Sequence, residues 1–186
     1  MTTTWSRFLT EQLDWHWTAQ LRPRLDGLSD DEYLWEPVPG AWTVHPRGEG
    51  RTELQGGSGA TTIDFAFPEP QPAPVTTIAW RLAHVVVGVL GTRTQHHFGG
   101  PPADYLTFDY APTAGAALAQ LDEAYAGWRA GVRGWDDEAL LEPCGPAEGQ
   151  WSEHSRAELV LHINREVIHH GAEVALLRDL YAHHHR

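Results

Sequence analysis

The amino-acid sequence predicts an all-α fold, a four-helix bundle with one long crossover and a long irregular loop between helices one and two. Three observations carry this. Four segments repeat apolar residues at helical spacing. Strand-like alternation is confined to one short stretch. Runs of glycine and proline fall between the segments.

The first helix is predicted over residues 4–28, where Trp5, Phe8, Leu9, Leu13, Trp17, Leu21 and Leu25 recur. Pro23 lies late in it and should kink or break it. Ser29-Asp30-Asp31-Glu32 is a capping box for a short further turn, and Glu36-Pro37-Val38-Pro39-Gly40 ends helical structure. Residues 41–75 read as an irregular insertion, broken by Gly56-Gly57-Ser58-Gly59 and by a proline-rich run beginning at Pro68. Inside it, Thr61-Thr62-Ile63-Asp64-Phe65-Ala66-Phe67 alternates as a strand would. A loop of this length in a compact domain is often functional or mobile.

The second helix spans residues 76–98, burying Ile78, Leu82, Val85, Val86, Val89 and Leu90, and Gly99-Gly100-Pro101-Pro102 stops it. The third spans residues 113–135 on a spine of Ala117, Leu118, Leu121, Tyr125 and Trp128. A short turn is expected over residues 136–141. The fourth opens on the capping box Ser155-Arg156-Ala157-Glu158 and runs to about residue 181. The tail His183-His184-His185-Arg186 reads as a frayed end and takes no part in the site. The whole chain, residues 1–186, reads as one domain.

Composition narrows the function. A formal charge of −12 excludes a phosphate-binding basic face, so neither nucleic acid nor an anionic membrane is an expected partner. No apolar run approaches the roughly 20 residues of a membrane span. The opening residues lack a signal peptide's basic and apolar regions. The single cysteine, Cys144, forms no internal disulfide and suits the cytosol, so a cytoplasmic protein is expected. Nine tryptophans serve either core packing or a flat wall for a ligand.

The most informative stretch is the fourth helix. Advancing roughly 100° per residue from His162, the side chains of Arg165, Glu166, His169 and Glu173 fall within about 60° of it. Val160, Ile163, Val167, Ile168, Val174 and Ala175 take the other side. A helix this apolar is largely buried, so its polar stripe faces either water or an internal cleft. His84, in the apolar run Trp80-Arg81-Leu82-Ala83-His84-Val85, is either a core histidine or a ligand facing that stripe. In a bundle, metal ligands come from facing helices, and three of them leave a position open for water or substrate. His162 with Glu166, Glu166 with His170, and His169 with Glu173 each have the four-residue spacing that shares a metal on one helix. Arg165 cannot ligate; it pairs with Glu166 or Glu173, or clamps a carboxylate. His16 is expected to be structural, His96 and His97 to sit at a helix end, His45 and His154 on the surface, and Cys144 to be a spectator.

Three segments together resemble the DinB-like proteins, the four-helix-bundle superfamily that also holds the mycothiol-dependent maleylpyruvate isomerase N-terminal domains. They are Asp30-Asp31-Glu32-Tyr33-Leu34-Trp35-Glu36-Pro37-Val38-Pro39-Gly40-Ala41-Trp42-Thr43-Val44, Ile78-Ala79-Trp80-Arg81-Leu82-Ala83-His84, and Arg165-Glu166-Val167-Ile168-His169-His170-Gly171. The resemblance covers roughly residues 4–181 and implies a bundle that binds a divalent metal through three histidines. Its relatives include thiol-cofactor S-transferases and the isomerases, where a glutamate replaces one histidine. Carried over position by position, His84 and His169 fall on ligand positions and Arg165 falls on the third. His162 or Glu166 would then complete a shifted site, or the site has lost metal and Arg165 holds an anion. Glu166 with His170 would restore a Glu-x-x-x-His pair, one residue off that register. The expected ligands are therefore His84 and His169 with Glu166 or His162.

Two functions follow from the resemblance. In one, Zn²⁺ or Ni²⁺ activates a low-molecular-weight thiol toward a small electrophile, in an S-transferase or isomerase where Arg165 orients a carboxylate and Glu166 or Glu173 is acid or base. In the other, a metal-free protein binds a small molecule or serves a stress response, its metal site degenerate because Arg165 occupies a ligand position. The arginine places the second slightly ahead on sequence. The resemblance also implies a homodimer, which the tryptophan content would suit.

Overall fold

Four long helices and one small sheet make up the computed structural model, which describes residues 5–184. Residue 4, where the first helix was expected to start, and the tail residues His185 and Arg186 lie outside the described residues.

Helix α1 runs over Trp5–His16, widens into a π-helical stretch at Trp17–Leu21 and ends with Arg22–Arg24. Pro23 brings no N–H and crowds the preceding turn, and the helix accommodates it by widening just upstream. The short α2, Asp30–Tyr33, is capped by Ser29, whose hydroxyl accepts from the Glu32 amide. Helix α3 comprises Ile78–His84, a π-helical stretch Val85–Gly91 and Thr92–Phe98, closed by Gly99 at φ 68°. Thr92 closes the widened stretch by donating both its amide and its Oγ1, the latter at 2.9 Å, to the Val87 carbonyl. Helices α4 (Ala114–Arg133), α5 (Asp137–Leu141) and α6 (Arg156–His184) follow, with a 3₁₀ segment at Pro146–Trp151. The capping box of α6 forms as expected. Glu158 accepts from the Ser155 amide at 2.8 Å, and Ser155 Oγ accepts from the Glu158 amide at 3.3 Å.

The helix directions follow from side-chain partners. Leu9 meets Asn164 and Arg24 meets Asp179, so α1 and α6 run parallel. Arg22 meets Asp122 and Ser6 meets Val132, so α4 runs against α1. Thr94 and Phe98 crowd Gly127 and Gly131, so α3 and α4 are parallel. Their connection, residues 99–113, is the crossover that the long second loop implied. Helices α1 and α3 each pack on both α4 and α6 around a core that includes Leu25, Ile63, Leu90, Leu121, Trp128 and Ile163. Burial of side chains of this size supplies the main driving force, about 1.5–3 kcal/mol each.

The expectation of an all-α chain needs correction. The insertion carries a three-stranded antiparallel sheet of order β1-β3-β2, with β1 at Val44–Pro46, β2 at Leu54–Gly56 and β3 at Thr61–Phe65. The central strand was visible as alternation; its partners have three residues each, too few to show a period. Polar residues inside the sheet disguised it further. Asp64 is fully buried, bonded to His45 Nε2 at 2.7 Å and to the amides of Thr43 and Arg51 at 3.1 Å each. His45, expected at the surface, is therefore buried.

The sheet is fastened to the start of α3. Thr77 donates its amide to the Trp42 carbonyl at 2.9 Å and its hydroxyl to Thr43 at 2.8 Å, while its own Oγ1 caps the Trp80 amide. Trp80 Nε1 in turn donates to the Asp64 carbonyl at 2.9 Å. Burial alone would raise the Asp64 carboxyl, but bonds from His45, Thr43, Arg51 and Gln55 outweigh it and hold the group below the ordinary carboxylate range. A carboxyl lowered on folding stabilises above its unfolded pKa of about 3.9, and that stability disappears as pH falls through the folded value. Asp64→Asn is expected to cost about 2–3 kcal/mol in urea unfolding at pH 7 and to flatten the acid limb below about pH 4. An unchanged acid limb would refute this role.

Candidate metal centre

His84 ends the regular part of α3 and faces α6 from a half-buried position. The residue it meets is His170: the two rings lie 4.7 Å apart, edge to face at 88°. His170 is 7% exposed, whereas the side chain of His169 is 61% exposed. The imidazole that meets His84 is thus one residue on from the expected His169. His169 points to solvent, with its Nε2 3.4 Å from Glu173 Oε1. A step of one residue turns a side chain by about 100°, and buried Ile163, Val167 and Val174 set which face turns inward.

Glu166 comes with His170. Its Oε2 is 3.4 Å from His170 Nε2. Arg165 is 67% exposed at its side chain, contacting Glu166 at 3.5 Å and His162 Nδ1 at 2.6 Å. It occupies no ligand position and clamps nothing in the cleft. His162 is 41% exposed at its side chain and 3.6 Å from Glu166, at the outer edge of the site; burial is the main influence lowering its pKa. Glu173, expected as an acid or base, is engaged twice. Its Oε2 lies 2.7 Å from His170 Nδ1 and 3.0 Å from Arg81 Nε.

Both inward imidazoles have their Nδ1 atoms tied. Glu173 takes that of His170, and the Tyr105 hydroxyl sits 2.6 Å from that of His84. This leaves each Nε2 for the space between the helices. Burial, followed by the neighbouring His170, Arg81 and Arg93, pushes His84 down to about 3, so its imidazole is neutral at neutral pH. Burial raises Tyr105, which stays a phenol. Trp80 stacks on His84 at 5.5 Å and 12°, the flat aromatic wall that the tryptophan count allowed. Arg81 lies over the Trp80 ring at 5.3 Å.

Tyr105 was not legible in the sequence. It arrives from the crossover loop and reaches His84 because residue 88 is glycine. A Cβ there would fall 1.9 Å from the Tyr105 hydroxyl oxygen. Gly88, one turn beyond a histidine in an otherwise valine-rich helix, was the available signal. The remaining polar residues stand apart. His97 pairs with Glu148 at 3.0 Å, His16 bonds Gln20 at 2.9 Å, His154 is exposed, and Cys144 donates its thiol to the Ser155 carbonyl.

Two imidazoles and a carboxylate from facing helices, the imidazoles oriented by outer partners, are donor types that a divalent cation takes. Arg81 opposes a second cation, but its charge is matched by Glu173. Among the described residues, the set whose donor atoms all lie within 4.8 Å of one another is His169, His170 and Glu173; His84, His170 and Glu166 would have to draw closer to share one ion. That grouping is the poorer ligand set, because Glu173 is already paired with Arg81 and His169 lies in solvent.

A helix-rich chain with a His/Glu cleft between α3 and α6 is the class these features define. It belongs to the DinB superfamily, whose family model matches residues 60–174, from β3 through most of α6. No curated protein and no solved structure matches the chain. Among the described residues no helix is long and apolar enough to cross a membrane.

Gly88→Ala is expected to drive the Tyr105 hydroxyl away from His84. In nitrogen-15 NMR of the metal-free protein at pH 8, His84 should change from one tautomer to a mixture, as in Tyr105→Phe. An unaltered His84 spectrum in both variants would contradict the arrangement.

Proposed function

We propose that this protein is a metal-dependent enzyme of the thiol-transferase or isomerase type, acting on a small electrophile. The observation that carries the reading is the meeting of His84 and His170 beside Glu166. With Arg165 turned outward, the main argument for a degenerate site falls away. His84, His170 and Glu166 would hold Zn²⁺ or Ni²⁺, which their imidazole content suits. When bound, the metal would supply a Lewis acid that keeps a thiol as its thiolate at neutral pH.

The chain's own residues do the rest. Glu173 accepts the Nδ1 proton of His170 and fixes that ring with Nε2 inward. Tyr105 does the equivalent for His84, whose Nδ1–H donates to the phenol oxygen when Nε2 ligates. Trp80 and Tyr105 flank the His84 ring and exclude water from one side. Arg81 balances Glu173, so the three ligands carry one net negative charge toward a dication. Glu166, 3.4 Å from His170 Nε2, would serve as the carboxylate ligand.

Isothermal titration with Zn²⁺ tests the reading. The parent is expected to bind close to one equivalent. His84→Ala, Glu166→Ala and His170→Ala should each weaken binding more than about 100-fold, since even outer partners are worth roughly 10–100-fold. His169→Ala should stay within about threefold of the parent. Less than about a third of an equivalent in protein purified metal-replete would overturn the proposal. In the metal-loaded protein, coupling of a small thiol such as cysteine or glutathione to a chromogenic aryl halide should be accelerated, and lost in His170→Ala.

A further inference from the structure

Further along α3 from His84, the loop between α5 and α6 comes back to touch the helix. Its neck is closed. Pro143 bridges Ser155, the Cys144 amide donates to the His154 carbonyl at 2.7 Å, and the Gly145 amide donates to the Ser152 carbonyl at 2.9 Å. Beyond the neck the tip, Pro146–Trp151, is exposed at every residue except Glu148. A loop tip held down by packing turns an apolar side chain inward. This one leaves Trp151 56% exposed and buries a carboxylate instead, 6% exposed at its side chain. Gly145 at φ 86° and Gly149 at φ 56° bend the chain on either side of it, in the left-handed region that glycine enters without strain.

Glu148 reaches two residues one turn apart on α3. Its Oε1 is 3.0 Å from His97 Nε2, and its Oε2 is 3.4 Å from one terminal nitrogen of Arg93. The second contact is long against the roughly 2.7–2.9 Å of a charge-assisted bond. A guanidinium takes a carboxylate best through two parallel N–H groups, such as Nε with a terminal nitrogen. Here half of that fork is used: Arg93 Nε is shut off from solvent and has no hydrogen-bond partner. The other terminal nitrogen donates to the carbonyl of Gly88, the residue that admits Tyr105 to His84. Arg93 thus spans from the loop tip back to the turn beside the cleft. Its charge is felt there. After burial, His170 and Arg81, it is among the influences that lower His84. Arg93 and Glu148 also act in opposite directions on His162, whose main influence is burial. Arg81 is matched by Glu173 at 3.0 Å and Arg165 lies outside, so Arg93 is the cation left to receive an anion at this end of the cleft.

We propose that Glu148 is the chain's own stand-in for a ligand carboxylate, and that the tip 146–151 is a lid that opens when a small carboxylate takes Arg93 from it. An incoming carboxylate that engages both Nε and the terminal nitrogen replaces one long contact by two short ones, which is how a small ligand displaces a tethered group. The inference rests on the proposed metal chemistry only in taking that carboxylate to belong to the electrophile or the thiol; the exchange on Arg93 needs no metal. The role that the sequence suggested for Arg165 passes to Arg93. A static structural tie would show the same contacts but respond with the opposite sign. Removing the charge of a tie gains nothing, whereas removing a competitor strengthens binding of the ligand it imitates.

Two measurements on the metal-free full chain test this. In calorimetric titration with propionate at fixed ionic strength, Glu148→Gln, which keeps the size of the side chain, is expected to bind at least about fivefold tighter than the parent, and Arg93→Gln to lose binding. In hydrogen exchange, the amides of residues 147–151 should exchange at least about threefold faster in about 0.1 M propionate than in the same concentration of chloride, and as fast or faster in Glu148→Gln with nothing added. If Arg93→Gln unfolds, Arg93→Lys, which keeps the charge without the fork, should bind propionate at least about threefold more weakly than the parent. A Glu148→Gln variant that binds propionate no better than the parent overturns the proposal, as does a tip whose exchange propionate leaves unchanged. Propionate binding that persists in a folded Arg93→Gln variant overturns it by placing the anion elsewhere. No metal is added in either measurement, so failure here is distinct from failure to bind Zn²⁺.

Discussion

The contact between His84 and His170, edge to face at 4.7 Å across two antiparallel helices, is what the rest of the site depends on. Helix α3 and helix α6 could share many apolar registers, but only one places these rings together. That register is held from behind by Ile163, Val167 and Val174, each at most 1% exposed. Gly171 adds a close approach to α1, where a Cβ would sit 2.9 Å from a Leu21 methyl. The core thus selects which of two adjacent histidines turns inward, and everything chemical follows from that choice.

The insertion between α1 and α3 contributes more than a cover. Its buried Asp64 gathers His45 and the backbone of Thr43 and Arg51, and its carbonyl takes the indole proton of Trp80. Trp80 stacks on His84, so the sheet locates one wall of the cleft through a single side chain. The opposite support comes from the crossover loop through Tyr105, which Gly88 admits. Loops that are long for a helical protein are in this way tied to His84 itself. A carboxylate buried in a sheet is costly unless fully bonded, and Asp64 accepts from both neighbouring strands and the loop between them.

Much of this architecture was legible in the chain. The helical spacing of Trp5 to Leu25, the breakers at Gly99 to Pro102 and the capping box at Ser155 locate long helices, because apolar period and cap chemistry are local properties. The central strand showed through Thr61 to Phe65, whereas its three-residue partners carried no period. The site was legible as a stripe but not as a register. Carrying the ligand motif onto Arg165 and His169 placed an uncoordinating cation in the cleft, whereas the ring that meets His84 is His170, with Glu166 beside it. A helical wheel cannot separate residues about 100° apart when both flank the buried face. Tyr105 lay further from reach, since a loop tyrosine gives no periodic signal and its role exists only through a glycine on another element.

Anomalous X-ray diffraction from crystals of the zinc-loaded protein tests the inward register most directly. The expected result is one strong peak between α3 and α6, bonded to Nε2 of His84, Nε2 of His170 and a carboxylate oxygen of Glu166. A peak on the solvent side, bonded to His169 and Glu173 with His84 uninvolved, would contradict the account.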